Sequence, residues 1–547
     1  MFRGSPLMSA QYTGLDWLVF IAYGAILLLS GWWLNRKKST SSADYFLGGN
    51  AMPMWMVSIS VLATSQSAAT FLGGPDMGYR GDLSYLATHI GAFMAAFFVA
   101  IYLIPKFYQY KVFTVYELLE QQIGPRAKKH AGIMYLFGRV FASGARLYMA
   151  AIAVAMILFG DIAADSIIYA TVIITVIGLL FSVFGGVRSV IYSDVIQAIV
   201  YISAAIFVIY FLVIAIPADF PTIVTALQEP SVATAGFTQS SKLTLVNFDV
   251  DFSSATMFGF WSSISGFLLL NIAAFGLDQD MTQRVLTCKT AKEGSKAMLL
   301  SVVMVIPVMF LFLLIGLLLF IFYQRPEIMG EGAATAMASF DGAKVTVFMS
   351  YVLNQIPAGV RGLVTIGIIA AALSTLNSGL SSMSSVLVQD LYRPYNLNKG
   401  LKLADSHYVK AGKVSMIIVA VALATMSVLC FYWQQYTDTP LLAFALSVML
   451  FSYSGLLGVY FTALFTKRGS EDSVTAALLT GFVITLFFQP YIQTLYLPPA
   501  LNFDLAFTWK LCIATFVSTL VCLVGAGRKV ADDEMGENEL TLNSVSE

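Results

Sequence analysis

Between Gly362 and Asp390 the sequence reads GLVTIGIIAAALSTLNSGLSSMSSVLVQD, apolar overall yet dense in hydroxyls and nearly free of charge. Ala371, Ser374, Thr375 and Ser378 recur at i, i+3, i+4 and i+7, so a helix here puts their oxygens on one face. Neutral hydroxyl and carbonyl oxygens suit a small hard cation. Small residues also let membrane helices approach closely, and the residue types alone leave both readings open.

A second stretch has matching chemistry. WMVSISVLATSQSAATFLGGPDMGY, from Trp55, is small and polar from Ala63 to Thr70 and is followed by Gly73, Gly74 and Pro75. A helix interrupted there frees backbone carbonyls, which membrane proteins tolerate only where the backbone lines a cavity or binds a ligand. A continuous helix with a Ser/Gln packing face is the alternative.

Other polar residues are scattered among apolar neighbours. His89 either bonds to a neighbouring helix or faces a solute cavity. Arg139 and Arg146, two turns apart, are expected to face protein or the cytoplasmic interface, because a central membrane arginine is costly. Asp194 either neutralises a transported cation, relays a proton, or pairs with Arg188 or Arg146. Asn271 is a central amide, and Asp278, Gln279, Asp280, Gln283 and Arg284 are expected to form an interfacial polar network.

The elements that must position these groups are membrane helices. The 547 residues are 58% hydrophobic and 11% charged, against about 25% charged in soluble domains. Runs long enough to cross roughly 30 Å of hydrocarbon, about 20 helical residues, recur thirteen times, near 14–35, 53–74, 82–105, 131–160, 165–184, 190–216, 255–282, 297–323, 345–390, 410–432, 440–466, 472–494 and 504–527. Pro307 is expected to kink the eighth. Arg36, Lys37 and Lys38 follow the first span in place of a cleavage pattern. Cations crowd alternate connections, whereas the opposite set has few, such as Lys242, Arg325 and Lys344. This bias puts the N-terminus outside and the C-terminus in the cytoplasm.

Cys288, Cys430, Cys512 and Cys522 have neither metal-ligand spacing nor a redox motif and read as structural. No nucleotide-binding loop, kinase signature or nucleophile elbow occurs, so an enzyme is not expected. Spans two to six and seven to eleven make two groups of five, each opening with a polar or Gly-interrupted helix. An odd count inverts the second copy, the pattern of an inverted-repeat transporter with broken helices. The expected divisions are 1–52 (outer N-terminus, first helix and linker), 53–216 (first repeat), 217–254 (outer loop), 255–466 (second repeat), 467–527 (two added helices) and 528–547 (disordered cytoplasmic tail).

DYFLGG near Asp44, SVLATSQSAATFLGGP at Ser60, GGVRSVIYSDVIQ at Gly185, DQDMTQR at Asp278 and AAALSTLNSGLSSMSSVLVQDLY at Ala370 together resemble the sodium/solute symporter family. The resemblance implies a ten-helix core of two inverted repeats and a Na+ site between the second and ninth spans. Its ligands would be the carbonyls of Ala63, Gln66 and Ala371 and the hydroxyls of Ser374 and Thr375. Asp194, Ser374, Asn377 and Ser378 match a second sodium site of some relatives, with Asn377 where a hydroxyl is common. On the solute wall, Asn271 matches a sugar-contacting amide. His89 stands where a carboxylate is expected and Thr70 where a glutamine is; Ala274 takes a tyrosine gate position, with Phe275 beside it.

The resemblance implies a sodium-coupled symporter importing a small organic solute by alternating access, from the sugar, sialic acid, amino acid or monocarboxylate class. The other reading is a channel or transporter-like sensor, for which no continuous polar pore or signalling domain is visible. The expected setting is the lipid bilayer of a bacterial inner membrane, with neither a nucleic acid nor an obligate protein partner.

Overall fold

The computed structural model describes residues 12–34, 41–229, 241–330, 347–434, 444, 446–498 and 504–527. The tail after Lys529, the cations Arg36 to Lys38, and Lys344 lie outside them. A helix satisfies its own backbone groups in hydrocarbon, and the described chain is helical apart from loops and one isolated bridge between Arg468 and Gly527. Among the described residues, nine helices are long and apolar enough to cross a bilayer, or ten if Ser42–Asn50 and Met54–Ser65, bent by 110°, count as one span. Leu450–Phe465, Glu471–Phe487 and Phe507–Leu523 are shorter, at 16, 17 and 17 residues.

The helix Val360–Val386 occupies the centre of the bundle, buried along almost its whole length. It packs against Gly14–Leu34, Met54–Ser65, Ala68–Arg80, Pro125–Leu158, Ala164–Ala215 and Asp405–Gln434. Its outer serines serve these contacts: Ser382 accepts from Tyr135 at 3.0 Å and Ser384 donates to the Gly412 carbonyl at 2.7 Å. Asp16, fully buried on the first helix, accepts the Gly359 and Gly362 N–H groups at 2.8 Å each. It thereby satisfies donors that the start of the central helix leaves open.

Several expected elements differ. The run 345–390 is two helices, Val347–Asn354 and Val360–Val386, separated by a turn at Pro357 and by Gly359 at φ 84°. Gly73, Gly74 and Pro75 lie within Ala68–Arg80, and Pro307 lies inside Ala291–Gln324. Ala164–Ala215 turns at Gly186, with φ 59° and ψ −170°; a Cβ there would stand 2.6 Å from the Tyr45 carbonyl oxygen. In the loop before the seventh span, the buried Lys242 donates to the carbonyls of Tyr79 and Gly81 at 2.9 and 2.6 Å, and lies 4.3 Å from the Phe320 ring centre. It caps the end of Ala68–Arg80. The four cysteines are free, three of them buried.

Candidate functional site

Met54–Ser65 stops where Gln66 and Ser67 become extended, and Ala68–Arg80 begins after them. The last helical bond runs from the Gln66 N–H to the Leu62 carbonyl, so the carbonyls beyond it in that turn lack helical donors. Ala63 and Gln66 are both buried in this turn, and the Gln66 Oε1 has no hydrogen-bond partner. The central helix faces the break. Thr375 donates to the Ala371 carbonyl at 3.2 Å and Ser374 to Asp194 at 2.7 Å. A void of about 10 Å³ beside the break is lined by Ser67, Ala68 and Thr375 and by Ser143 and Arg146 of Pro125–Leu158, about the size one water needs.

Asp194 pairs with neither Arg188 nor Arg146. Its carboxylate accepts from Ser60 at 2.5 Å and from Ser374, and Arg284 lies 3.4 Å away. Arg284, fully buried, also donates to the Asp280 carbonyl at 2.6 Å. Arg139 pairs with Asp278 at 2.9 Å and with Asp280, and Tyr453 donates to Asp278 at 2.6 Å. The polar cluster expected at the interface is therefore interior: Asp278, Gln279, Asp280, Gln283 and Arg284 are all buried. The cause is local, because the helix unwinds at Asp278, φ −93° and ψ 118°, and restarts as Gln279–Val285. Of the other residues expected at a second ion site, Ser378 donates to Asp280 at 3.2 Å and Asn377 accepts from Ser182 at 3.1 Å.

Beside this network lies a cavity of about 120 Å³. Gln66, His89, Asn271 and Phe275 line it together with Arg139, Arg146, Asp278 and Tyr453. His89 Nδ1 stands 3.3 Å from the Leu86 carbonyl of its own chain segment, and Asn271 donates to Phe267 at 2.8 Å, leaving its amide oxygen over. Thr70 is not among the lining residues; its hydroxyl closes the capping box of Ala68–Arg80. Arg146, like Arg139, faces the protein interior rather than lipid, but its Nη1 is buried without a hydrogen-bond partner and its Nη2 reaches only the Met449 sulfur, at 3.6 Å. Its spacing from Arg139 signalled a shared face. No local signal showed that Arg139 is neutralised and Arg146 is not.

A family model described as the sodium:solute symporter family matches residues 45–481. The chain belongs to that family. Among its relatives, the sodium/sialic acid symporter of Aliivibrio fischeri is 27% identical, over 88% of this chain and 88% of the relative. The sodium/sialic acid symporter of Proteus mirabilis is 24% identical, over 86% and 89%, and the human sodium/iodide cotransporter is 24% identical, over 87% and 71%. The structure of a Na+-coupled sialic acid symporter in a substrate-bound outward-open state superposes with a TM-score of 0.76 at 21% identity, covering 94% of this chain and 99% of that one. The protein is thus an integral membrane transporter, not an enzyme, and couples a small solute to Na+.

Proposed function

We propose that the solute is a small organic monoanion held through its carboxylate by Arg146 and carried with one Na+. The unpartnered Arg146 guanidinium in the cavity wall carries this reading. Three arginines, Arg139, Arg146 and Arg284, surround the network with three aspartates, Asp194, Asp278 and Asp280, but only Arg139 and Arg284 contact them. Binding one Na+ leaves the assembly one charge positive, and a monocarboxylate restores neutrality in a medium where an uncompensated charge is costly. Relatives named for sialic acid, iodide and monocarboxylates are named for anions. A neutral sugar would leave Arg146 unpaired.

In this reading Na+ is held by the carbonyls of Ala63, Gln66 and Ala371 and the hydroxyls of Ser374 and Thr375, all oxygen donors suited to a hard cation. The Arg284 guanidinium beside Asp194 argues against routine use of the second sodium position at Asp194, Ser374, Asn377 and Ser378. His89, Asn271 and Phe275 frame the solute, and Thr70 acts on it only through the helix it caps.

The shorter apolar helices Leu450–Phe465 and Phe507–Leu523 and the helix Glu471–Phe487, together with nine spans and the bent pair, give the thirteen spans proposed here. The divisions 53–216 and 255–466 form two inverted repeats, flanked by the first helix and two added ones; 217–254 is an outer loop and 528–547 a cytoplasmic tail. The break at Gln66 and the unwinding at Asp278 fall in the opening helix of each repeat and support this division. The cation bias supports an outside N-terminus in a bacterial inner membrane, and alternating access then exposes the cavity to each side in turn.

The test is uptake by proteoliposomes of a panel of organic acids, sugars and amino acids under an inward Na+ gradient. Monocarboxylates should accumulate and Arg146→Met should abolish that accumulation while the protein remains folded. Sugar uptake that survives Arg146→Met would reject the carboxylate assignment.

A further inference from the structure

A second concavity lies away from the transport site, on the outer face of the bundle between Pro125–Leu158 and Glu471–Phe487. Two matched stripes line it: His130, Ile133, Met134 and Phe137 on one helix, and Thr475, Leu478, Leu479 and Phe482 on the other. Each stripe runs i, i+3, i+4, i+7, so each is one continuous helix face. His130 and Thr475 close one end with a 2.6 Å hydrogen bond, and the edge-on rings of Phe137 and Phe482, 5.5 Å apart, close the other. The groove is about 10 Å long, seven residues of helical rise, with a volume of about 320 Å³. Between its two ends it is walled by carbon.

Its position limits what can fill it. Ile133, Phe137 and Leu479 are 44%, 46% and 56% exposed, and in a membrane transporter this face meets lipid. Water gains no partners along such a wall, whereas an acyl chain does. Just beyond the end closed by His130 and Thr475, the surface is charged with both signs. Arg126 and Lys129 stand one turn before His130 and Ile133 on the same helix face. Arg126 is held by Glu471 at 2.7 Å and Asp472 at 3.2 Å, and the Asp472 side chain remains 85% exposed. Lys128 on the same turn faces inward to Glu120 at 2.8 Å and takes no part.

We propose that this groove holds one acyl chain of a zwitterionic aminophospholipid, with its phosphate at Lys129 and its primary ammonium at Asp472. A purely anionic headgroup would meet the Glu471 and Asp472 carboxylates, and a quaternary ammonium has no N–H to give Asp472. The site is independent of the solute assignment, but it braces the helix that carries Arg139 and Arg146.

Native mass spectrometry of the full chain in detergent, with phosphatidylethanolamine, phosphatidylcholine or phosphatidylglycerol added in turn, tests this. The wild type should retain one phosphatidylethanolamine in preference to the other two. Leu479→Trp, which fills the groove, should weaken retention about tenfold through lost apolar contact, and Asp472→Asn should remove the preference while keeping the binding. A thermal melt matching the wild type confirms that Leu479→Trp is folded. Retention unchanged in Leu479→Trp, a preference for phosphatidylglycerol, or a dimer that Leu479→Trp dissociates would overturn the proposal.

Discussion

Ser374 has one hydroxyl proton and two lone pairs, and Asp194 takes the proton at 2.7 Å. The lone pairs are left for a cation, and Thr375, whose proton goes to the Ala371 carbonyl, is in the same condition. Replacing either hydroxyl with Ala should raise the Na+ concentration for half-maximal uptake about tenfold, near 1.4 kcal/mol; unchanged sodium dependence in both variants would remove these residues from the ion site. Arg284→Met should cost more, about 3–5 kcal/mol of stability, because it strands the buried Asp194 carboxylate, and a thermal-shift assay reads the loss. The hydroxyl face was legible because a helix converts spacing directly into direction. The guanidinium partners were not, since Arg284 and Asp194 are 90 residues apart in sequence and pairing across helices leaves no periodic trace. That Arg146 has no carboxylate partner was hidden for the same reason, because it depends on every helix around it.

The outer half of the broken helix is held in place by close packing. Ala68–Arg80 lies against Ala291–Gln324 with so little clearance that a Cβ on Gly316 would stand 2.2 Å from the Pro75 carbonyl oxygen. Gly316→Ala should therefore destabilise the protein by about 1–3 kcal/mol, measured as a lower midpoint of thermal unfolding. At the end of the same half-helix, burial pushes the Lys242 ammonium down to about 8, while in the unfolded chain it titrates near the ordinary lysine value of about 10.4. Between those values the unfolded state binds more protons, so stability rises with pH across that window. A pH series of thermal melts should show this rise in the wild type and lack it in Lys242→Met; parallel curves would mean that Lys242 is not the group responsible. The break itself could be anticipated from the small polar run at Ala63 to Thr70. Its glycines and proline misled, because Gly73, Gly74 and Pro75 serve close packing within an intact helix. The unwinding at Asp278, which draws five polar residues inward, has no comparable composition signal.

For the whole molecule, loading one Na+ with one monocarboxylate moves no net charge across the bilayer. Uptake should then follow the sodium gradient alone, with about 1.4 kcal/mol for each tenfold gradient. It should ignore the roughly 2.3 kcal/mol per charge that 100 mV supplies to an electrogenic carrier. Liposomes with a potassium diffusion potential, negative inside, should take up the solute no faster than unpolarised ones; acceleration would point to a second Na+ or a neutral solute. Membrane class and the all-helical fold were readable from composition because hydrocarbon imposes one rule on every segment. The charge balance of the cavity was not, since it sums side chains from across the fold.

The carboxylate of Asp16 bears on how such a molecule is made. Its backbone donors at Gly359 and Gly362 lie 343 and 346 residues later in the chain. At about 5–20 residues per second of synthesis, the first helix waits roughly 17–70 s for the partner it is shaped to hold. For that interval a carboxylate that ends fully buried has only its local donors, the Thr13 N–H and hydroxyl at 2.9 and 3.1 Å, and must otherwise stay hydrated at the membrane surface. The helix that carries Asp16 is therefore locked in place only once the central helix has been made.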